Sequence, residues 1–236
     1  MGPVGAGSPA ILVEIGSLDR RGRRLEALAA AVAWLADHDD EQVAAAARGV
    51  FARLLRGPAV DVKSEGGVQR YLLGPEITIG RVGATIALAS PAVSRRHVRL
   101  RREAGRAVIE DLGSHNGTRL GGAKIVAALP VGDGLTVDIA GQIPCWIRPL
   151  NSEVDGPLLV DIAGARYVVP LGDARIGALR LCLETEGDES RVALHAAAGV
   201  WAALGDTAIE PPIELCEGDV IRHGHAGGSS FQVVSG

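Results

Sequence analysis

The chain has 236 residues, is 47% hydrophobic and 22% charged, and carries a formal net charge of −4. This length suffices for one large or two small cores, and the acidic balance excludes a protein that is basic throughout, as a nucleic-acid binder usually is in its binding domain. No apolar run reaches the ~18–20 residues of a membrane span, and three widely spaced cysteines (Cys145, Cys182, Cys216) form neither a disulfide framework nor a metal motif.

Residues 1–57 read as helical. Their start, "MGPVGAGSPAILVEIGS", lacks the cationic region of a signal peptide, so a cytoplasmic chain is expected. Leu25, Leu28, Val32 and Leu35 share one helix face, and Asp39 with Gln42 predicts a capping box for a second helix. Val43, Val50, Phe51, Leu54 and Leu55 form its apolar stripe, and Gly57-Pro58 ends it. The expectation is a helical hairpin that buries this stripe on the following domain or on a second copy, as a homodimer.

After Pro58 the pattern changes to short alternating runs bounded by Gly, Pro and Asp: Arg70–Leu73, Ile77–Gly80, Ile86–Ala89, His97–Arg101, Ala107–Glu110 and Leu135–Ile139. Strands at this spacing with no helix between them predict a β-sandwich or barrel. Asn151–Pro157 reads as a linker. Beyond it the pattern echoes: "RYLL" at Arg70 and "RYVV" at Arg166, "ITIGR" at Ile77 and "ARIGA" at Ala174, "LPVGD" at Leu129 and "LCEGD" at Leu215. A second, smaller copy lacking the loops of the first is expected over residues 156–236, after a first domain over 58–150.

Charge is unevenly spread. From Arg81 to Arg106 there are seven Arg and one acid, Glu103, a local +6, so the remainder carries −10 against the total of −4. A small cationic island on an acidic body suits a compact anion. Arg81 follows Gly80 at a strand end, and its planar fork matches two phosphate oxygens. The hydroxyl of Ser94 and its loop amides can complete a phosphate cradle, with Arg95 as a second cation. Asn116-Gly117 is a turn signal, and the Asn116 amide can bind a turn or an incoming peptide backbone. Arg96, Arg99, Arg101 and Arg102 read as a solvated strand face that raises the local potential.

Two other chemistries use the same residues less well. Ser94, His97 and Asp111 supply the side-chain types of a hydrolytic triad, but a Ser and His three apart rarely align and Gly-x-Ser-x-Gly is absent, so no enzyme is expected. The Arg cluster lacks the aromatic side chains on which nucleic-acid bases stack, so nucleic acid is not an expected partner. No metal or cofactor is expected.

Gly80-Arg81, Ser94-x-x-His97, "DLGSHNGT" at Asp111–Thr118 and Leu129-x-x-Gly132-Asp133, in that order and spacing, resemble the forkhead-associated (FHA) domain over about residues 60–148. The resemblance implies a mainly β fold: an eleven-stranded FHA-type β-sandwich, followed here by a degenerate FHA-like sandwich and preceded by the helical hairpin. It implies loops at one end that bind a phosphothreonine peptide. Arg81 and Ser94 are then the phosphate ligands, Arg95 an auxiliary contact, and Asn116 the residue that holds the peptide main chain. By the same resemblance Ser114 and His115 are also peptide-binding, and Gly80, His97, Gly117 and Thr118 support the site. His115 stands where the family often has Thr, and Gly121-Gly122 where it has Asn-Gly. The implied partner is a threonine-phosphorylated protein, a Ser/Thr kinase or its substrate, met by a bacterial cytoplasmic signalling or scaffold protein. The alternative is a phospho-independent structural adaptor.

Overall fold

The computed structural model describes residues 8–153, 155–224 and 228–234. The chain forms two compact units. One comprises Pro58–Val62 and Gly67–Ala174; the other comprises the chain up to Gly57, Lys63–Gly66 and the chain from Arg175.

The helices are three, not two: α1 (Ser8–Arg20), α2 (Arg24–Leu35) and α3 (Glu41–Arg53). Ile11 and Ile15 of α1 are buried with Ala27, Ala31, Val43 and Val50, so Val43 and Val50 of the expected stripe are buried within the helices, whereas Phe51 is 41% exposed. The buried face of α2 is Arg24, Ala27 and Ala31, whereas Val32 is 67% exposed. The cap of α3 is Asp40 rather than Asp39; its carboxylate accepts from the Gln42 and Val43 amides at 3.1 and 3.2 Å, satisfying two of the orphan N–H groups of the first turn.

The Pro58–Ala174 unit is a β-sandwich. It contains β1 (Ala59–Ser64), β2 (Gly67–Leu72), β3 (Glu76–Gly80), β4 (Ile86–Ala87), β5 (Val98–Glu103), β6 (Arg106–Asp111) and β7 (Thr118–Leu120). There follow β8 (Ala123–Lys124), β9 (Leu129–Pro130), β10 (Leu135–Ile139), β11 (Ile143–Pro149), β12 (Leu158–Ile162) and β13 (Ala165–Val169). One layer is ordered β4-β3-β5-β6-β9; the other runs β1-β2-β13-β12-β11-β10-β7-β8. Inward side chains of both layers, among them Ile77, Ile79, Val98, Leu100, Ile109, Val137, Ile147, Val160 and Val169, make a single aliphatic core. β-Branched residues and Leu fill it in the near absence of aromatics, as suits a pleated, half-buried surface.

This sandwich does not end at residue 150. The β12–β13 hairpin, expected to open the second copy, lies on β11 with Cys145 opposite Ile162 and Pro149 opposite Leu158. The echoing strands "RYLL" and "RYVV" are β2 and β13, and they pair in parallel with Tyr71 opposite Val168. The reason is burial: Leu158, Val160, Ile162, Val169 and Leu171 supply apolar surface to this core.

The other unit carries, besides the helices, β14 (Ala174–Ile176), β15 (Leu179–Glu186), β16 (Glu189–Ala196), β17 (Ala202–Leu204), β18 (Thr207–Ile209), β19 (Ile213–Glu214), β20 (Val220–His223) and β21 (Ser230–Val234). These strands form the orders β14-β15-β16-β19 and β18-β17-β20-β21. Arg24 ties α2 to them. Only 2% exposed, it donates to Asp219 at 2.7 Å, to Asp19 at 3.1 Å and to the Glu214 carbonyl at 2.6 Å. The Glu214 carboxylate accepts from the Arg24 and Leu25 amides and so caps α2. A buried guanidinium is tolerated here because its charge is paired and its N–H groups find oxygen. All three cysteines are buried and outside any disulfide; burial pushes the Cys145 thiol up to about 12.

Candidate functional site

Three loops meet at the end of the sandwich where β3 stops. Gly80 ends β3 with no side chain because none fits: a Cβ there would lie 2.1 Å from the Arg95 carbonyl oxygen. This close approach lets the backbone after Gly80 pair with the Ser94 loop. The Arg81 amide donates to the Ser94 carbonyl at 2.9 Å, and the His97 amide to that of Ile79 at 2.9 Å. Arg81 and Ser94, thirteen positions apart in sequence, are thereby joined through their backbones.

The Ser94 loop is pinned from below by Val93, 1% exposed in the core, and by His97, fully buried. His97 Nδ1 accepts the Ser94 amide at 3.1 Å, which puts the proton of a neutral ring on Nε2. Nε2 faces Asp111 at 3.8 Å and has no hydrogen bond among the described residues. The His97 ring thus holds the Ser94 loop through its amide. The triad arrangement is not present: the imidazole holds the Ser94 amide, not its hydroxyl.

The third loop, 112–117, is built around Asp111. Its carboxylate accepts the Ser114 amide and hydroxyl, each at 2.7 Å, and the Thr118 hydroxyl at 2.6 Å. The Ser114 hydroxyl oxygen accepts the Gly117 amide at 3.0 Å. Ser114, expected among the peptide-binding residues, spends its hydroxyl on the loop itself, between Asp111 and the Gly117 amide. Gly117, at φ +76°, closes the turn. Two bonds cross to the Ser94 loop. The His115 amide donates to the Ser94 Oγ at 3.1 Å, and Asn116 Nδ2 donates to the Ala92 carbonyl at 2.8 Å. Because Ser94 Oγ accepts from His115, its own O–H is left to donate outward. Asn116 keeps its Oδ1 and one N–H for another partner.

Charge is sorted along the Arg run. Arg99 pairs with Glu110 at 2.7 Å and Glu76 at 3.2 Å; Arg101 pairs with Glu103 at 2.9 Å and Glu110 at 3.4 Å. Arg102 donates to the carbonyls of Asp155, Gly156 and Pro170 and so fastens the segment after β11. Arg96 lies 3.8 Å from Glu76. The strand-face arginines are thus neutralised across strands or engaged in structure, which corrects the expectation of a solvated cationic face. Arg81 and Arg95 are different. Both are exposed, and among the described residues neither guanidinium has a hydrogen bond or ion pair. His115 is also exposed beside them. Lys124 was not singled out from the sequence: its methylenes lie over Gly117, where a Cβ would sit 2.9 Å from Cε. The only hint was its place seven residues beyond Gly117, since cross-strand position cannot be read without the register.

Burial holds the His97 imidazole below its ordinary value, with the Gly117 backbone and Asp111 pulling the other way. Burial raises Asp111, but hydrogen bonds from Thr118 and Ser114, with His97, outweigh it and leave the carboxyl below its usual range. For His97 the unfolded chain, at ~6.5, takes a proton before the folded one does. Its contribution is therefore complete above that pH and is lost as pH falls from there through the folded value. Asp111 contributes above its unfolded value of ~3.9 and fails only at lower pH. Thermal unfolding followed from about pH 8 to about pH 5 should show a melting temperature that declines below roughly pH 6.5. A His97→Gln variant, less stable overall, should show a shallower decline. Equal slopes would place that pH dependence elsewhere.

Residues 77–140 match the family model for the FHA domain. Among solved structures, the first FHA domain of Rv1747 from Mycobacterium tuberculosis is 28% identical, with a TM-score of 0.29, covering 48% of this chain and 98% of its own. The Rv0020c FHA domain is 30% identical, with a TM-score of 0.26, covering 34% of this chain and 83% of its own. The FhaA FHA domain, solved in complex with the intracellular domain of Rv3910, is 29% identical, with a TM-score of 0.27, covering 35% of this chain and 92% of its own. No curated protein matches the chain. FHA domains are phosphopeptide-recognition modules of signalling proteins. The sandwich that carries Arg81, Ser94 and Asn116 thus contains an FHA domain match over residues 77–140.

Among the described residues no helix is long and apolar enough to cross a membrane, and no three His, Cys, Asp or Glu gather as a metal site.

Proposed function

We propose that this protein recognises phosphothreonine on partners modified by a Ser/Thr kinase, acting as a cytoplasmic signalling or scaffold component without catalysing a reaction. The observation that carries this reading is the pair of exposed guanidiniums, Arg81 and Arg95, left without internal anions at the one end of the sandwich where every carboxylate of the loops is already occupied. A phosphoryl group, at ≈ −1.5 to −2 charge with three acceptor oxygens, matches this donor set. Arg81 supplies the fork, the Ser94 O–H a directional donor, and Arg95 a second charge. Asn116, already bonded to Ala92, offers its Oδ1 and remaining N–H to a peptide backbone. His97 and the His115 amide hold Ser94, and Asp111 holds Ser114 and Thr118, so the donors are fixed before the ligand arrives, which lowers the ordering cost of binding.

The test is an oriented peptide library presented with phosphothreonine, phosphoserine or unmodified threonine at the fixed position. The expected outcome is retention of phosphothreonine peptides and little retention of the unmodified set. Equal retention of modified and unmodified peptides would overturn the reading and favour a phospho-independent adaptor.

A further inference from the structure

The Lys124 side chain lies beside the recognition loops, yet no part of their hydrogen-bonding uses it. Its aliphatic stem crosses the face of Gly117: the Cγ, Cδ and Cε atoms lie 3.3, 3.0 and 2.9 Å from where a Cβ would stand. Gly117 follows Asn116 directly, so the stem borders the residue that offers its amide to a ligand. The ammonium is exposed and has no hydrogen bond or ion pair among the described residues. Across the β7–β8 ladder the residue opposite Lys124 is Arg119, a like-charge placement that is unfavourable unless an anion joins it. Arg119 turns its guanidinium to the Gly122 carbonyl at 3.3 Å. Asp138 stands opposite Arg119 on β10 but forms no ion pair with Lys124. The end of the strand pair next to Asn116 thus presents a positive charge on a packed, pre-directed stem with no carboxylate paired to it among the described residues.

We infer that Lys124 is a specificity-determining residue that reads an acidic side chain of the bound peptide close to its phosphothreonine. The inference rests on the phosphothreonine reading above and adds the chemistry of the flanking sequence. In that reading the phosphate itself is met by Arg81, Ser94 and Arg95, and Lys124, packed over Gly117 next to Asn116, is placed for a second anion on the same peptide. Lysine suits a point charge at variable geometry better than a bidentate fork. The pair it would form is solvent-exposed, so it should bias selection modestly and be screened by salt.

The experiment uses the full chain and two phosphothreonine peptide libraries, degenerate except at the four positions on either side of the phosphothreonine. These positions are Asp or Glu in one library and Ala or Gln in the other. The unsubstituted protein should prefer the acidic set by about two- to fivefold, less at high salt. Lys124→Met keeps the stem over Gly117 and removes the charge; it should bind both sets with equal affinity, close to that of the unsubstituted protein for the neutral set. Arg81→Ala should lose both sets together. Equal binding of the two sets by the unsubstituted protein, or a preference that survives Lys124→Met, overturns this inference alone. Failure of the unsubstituted protein to bind either set overturns the phosphothreonine reading and this inference with it.

Discussion

Replacing Arg81 by Ala is expected to weaken binding of a phosphothreonine peptide by roughly tenfold to a hundredfold or more. A hydrogen bond to a charged group contributes on the order of 1.5–3 kcal/mol net, and ~1.4 kcal/mol is a factor of ten in affinity. The Arg81 fork can make two such bonds to one phosphate. Its removal should leave the fold untouched, because the exposed side chain has no internal partner and the Arg81 amide, which does bond Ser94, remains in Ala. Affinity and melting temperature should therefore separate: a large loss in the first, little change in the second. Arg81→Lys should recover only part of the loss, since a point charge replaces a planar pair of donors. Titration calorimetry with a peptide drawn from the library, alongside thermal unfolding of each variant, measures both quantities. Wild-type affinity in Arg81→Ala would remove Arg81 from the site.

The strand end at Gly80-Arg81, the Ser94–His97 run and the Asp111–Thr118 loop could be recognised from residue order, because each local conformation demands a particular residue type. Gly80 tolerates no Cβ against Arg95, and Gly117 holds a positive φ. What order alone could not supply is register. Glu110 neutralises Arg99 because it stands opposite it on β6, and Glu76, opposite Arg101 on β3, reaches Arg99 diagonally at 3.2 Å. Without that pairing Arg99 and Arg101 read as a solvated strand face; with it, they are paired across strands, and Arg81 and Arg95 remain unpaired among the described residues. The same gap hid the bond from Asn116 to the Ala92 carbonyl and the stem of Lys124 over Gly117. In the helices the misreading came from size. Ala27 and Ala31 are the buried residues of α2 because small side chains let helices close up, while the larger Val32 faces outward. A search for bulky apolar stripes therefore included the exposed Val32 beside Leu28 and Leu35, which do pack against the helical core, and passed over α1.

A fragment of residues 58–150, the domain bounds read from the sequence, is expected to lose cooperative folding, whereas one of residues 58–174 should keep it. The segment between contributes Leu158, Val160, Ile162, Val169 and Leu171 to the sandwich core. Burying each such side chain stabilises by roughly 1.5–3 kcal/mol. Together they reach on the order of 10 kcal/mol, comparable with the whole stability of a domain at about 5–15 kcal/mol. Truncation also strips β11 of its ladder to β12, from Cys145–Ile162 to Pro149–Leu158, and leaves a bare strand edge prone to intermolecular pairing. Arg102 loses the three carbonyls that it holds, those of Asp155, Gly156 and Pro170. The measurement is thermal or denaturant unfolding of residues 58–150 and 58–174 side by side, with phosphopeptide binding as the second readout. In the full chain, Val160→Asp should act in the same direction, because an unpaired carboxylate would be placed in the aliphatic core. It should abolish peptide binding although residue 160 lies well beyond the 77–140 span of the family match. A shorter chain that unfolds cooperatively at the same temperature as the longer one, and binds peptide equally, would show that the β12–β13 hairpin is an addition to the FHA sandwich and not one of its structural parts.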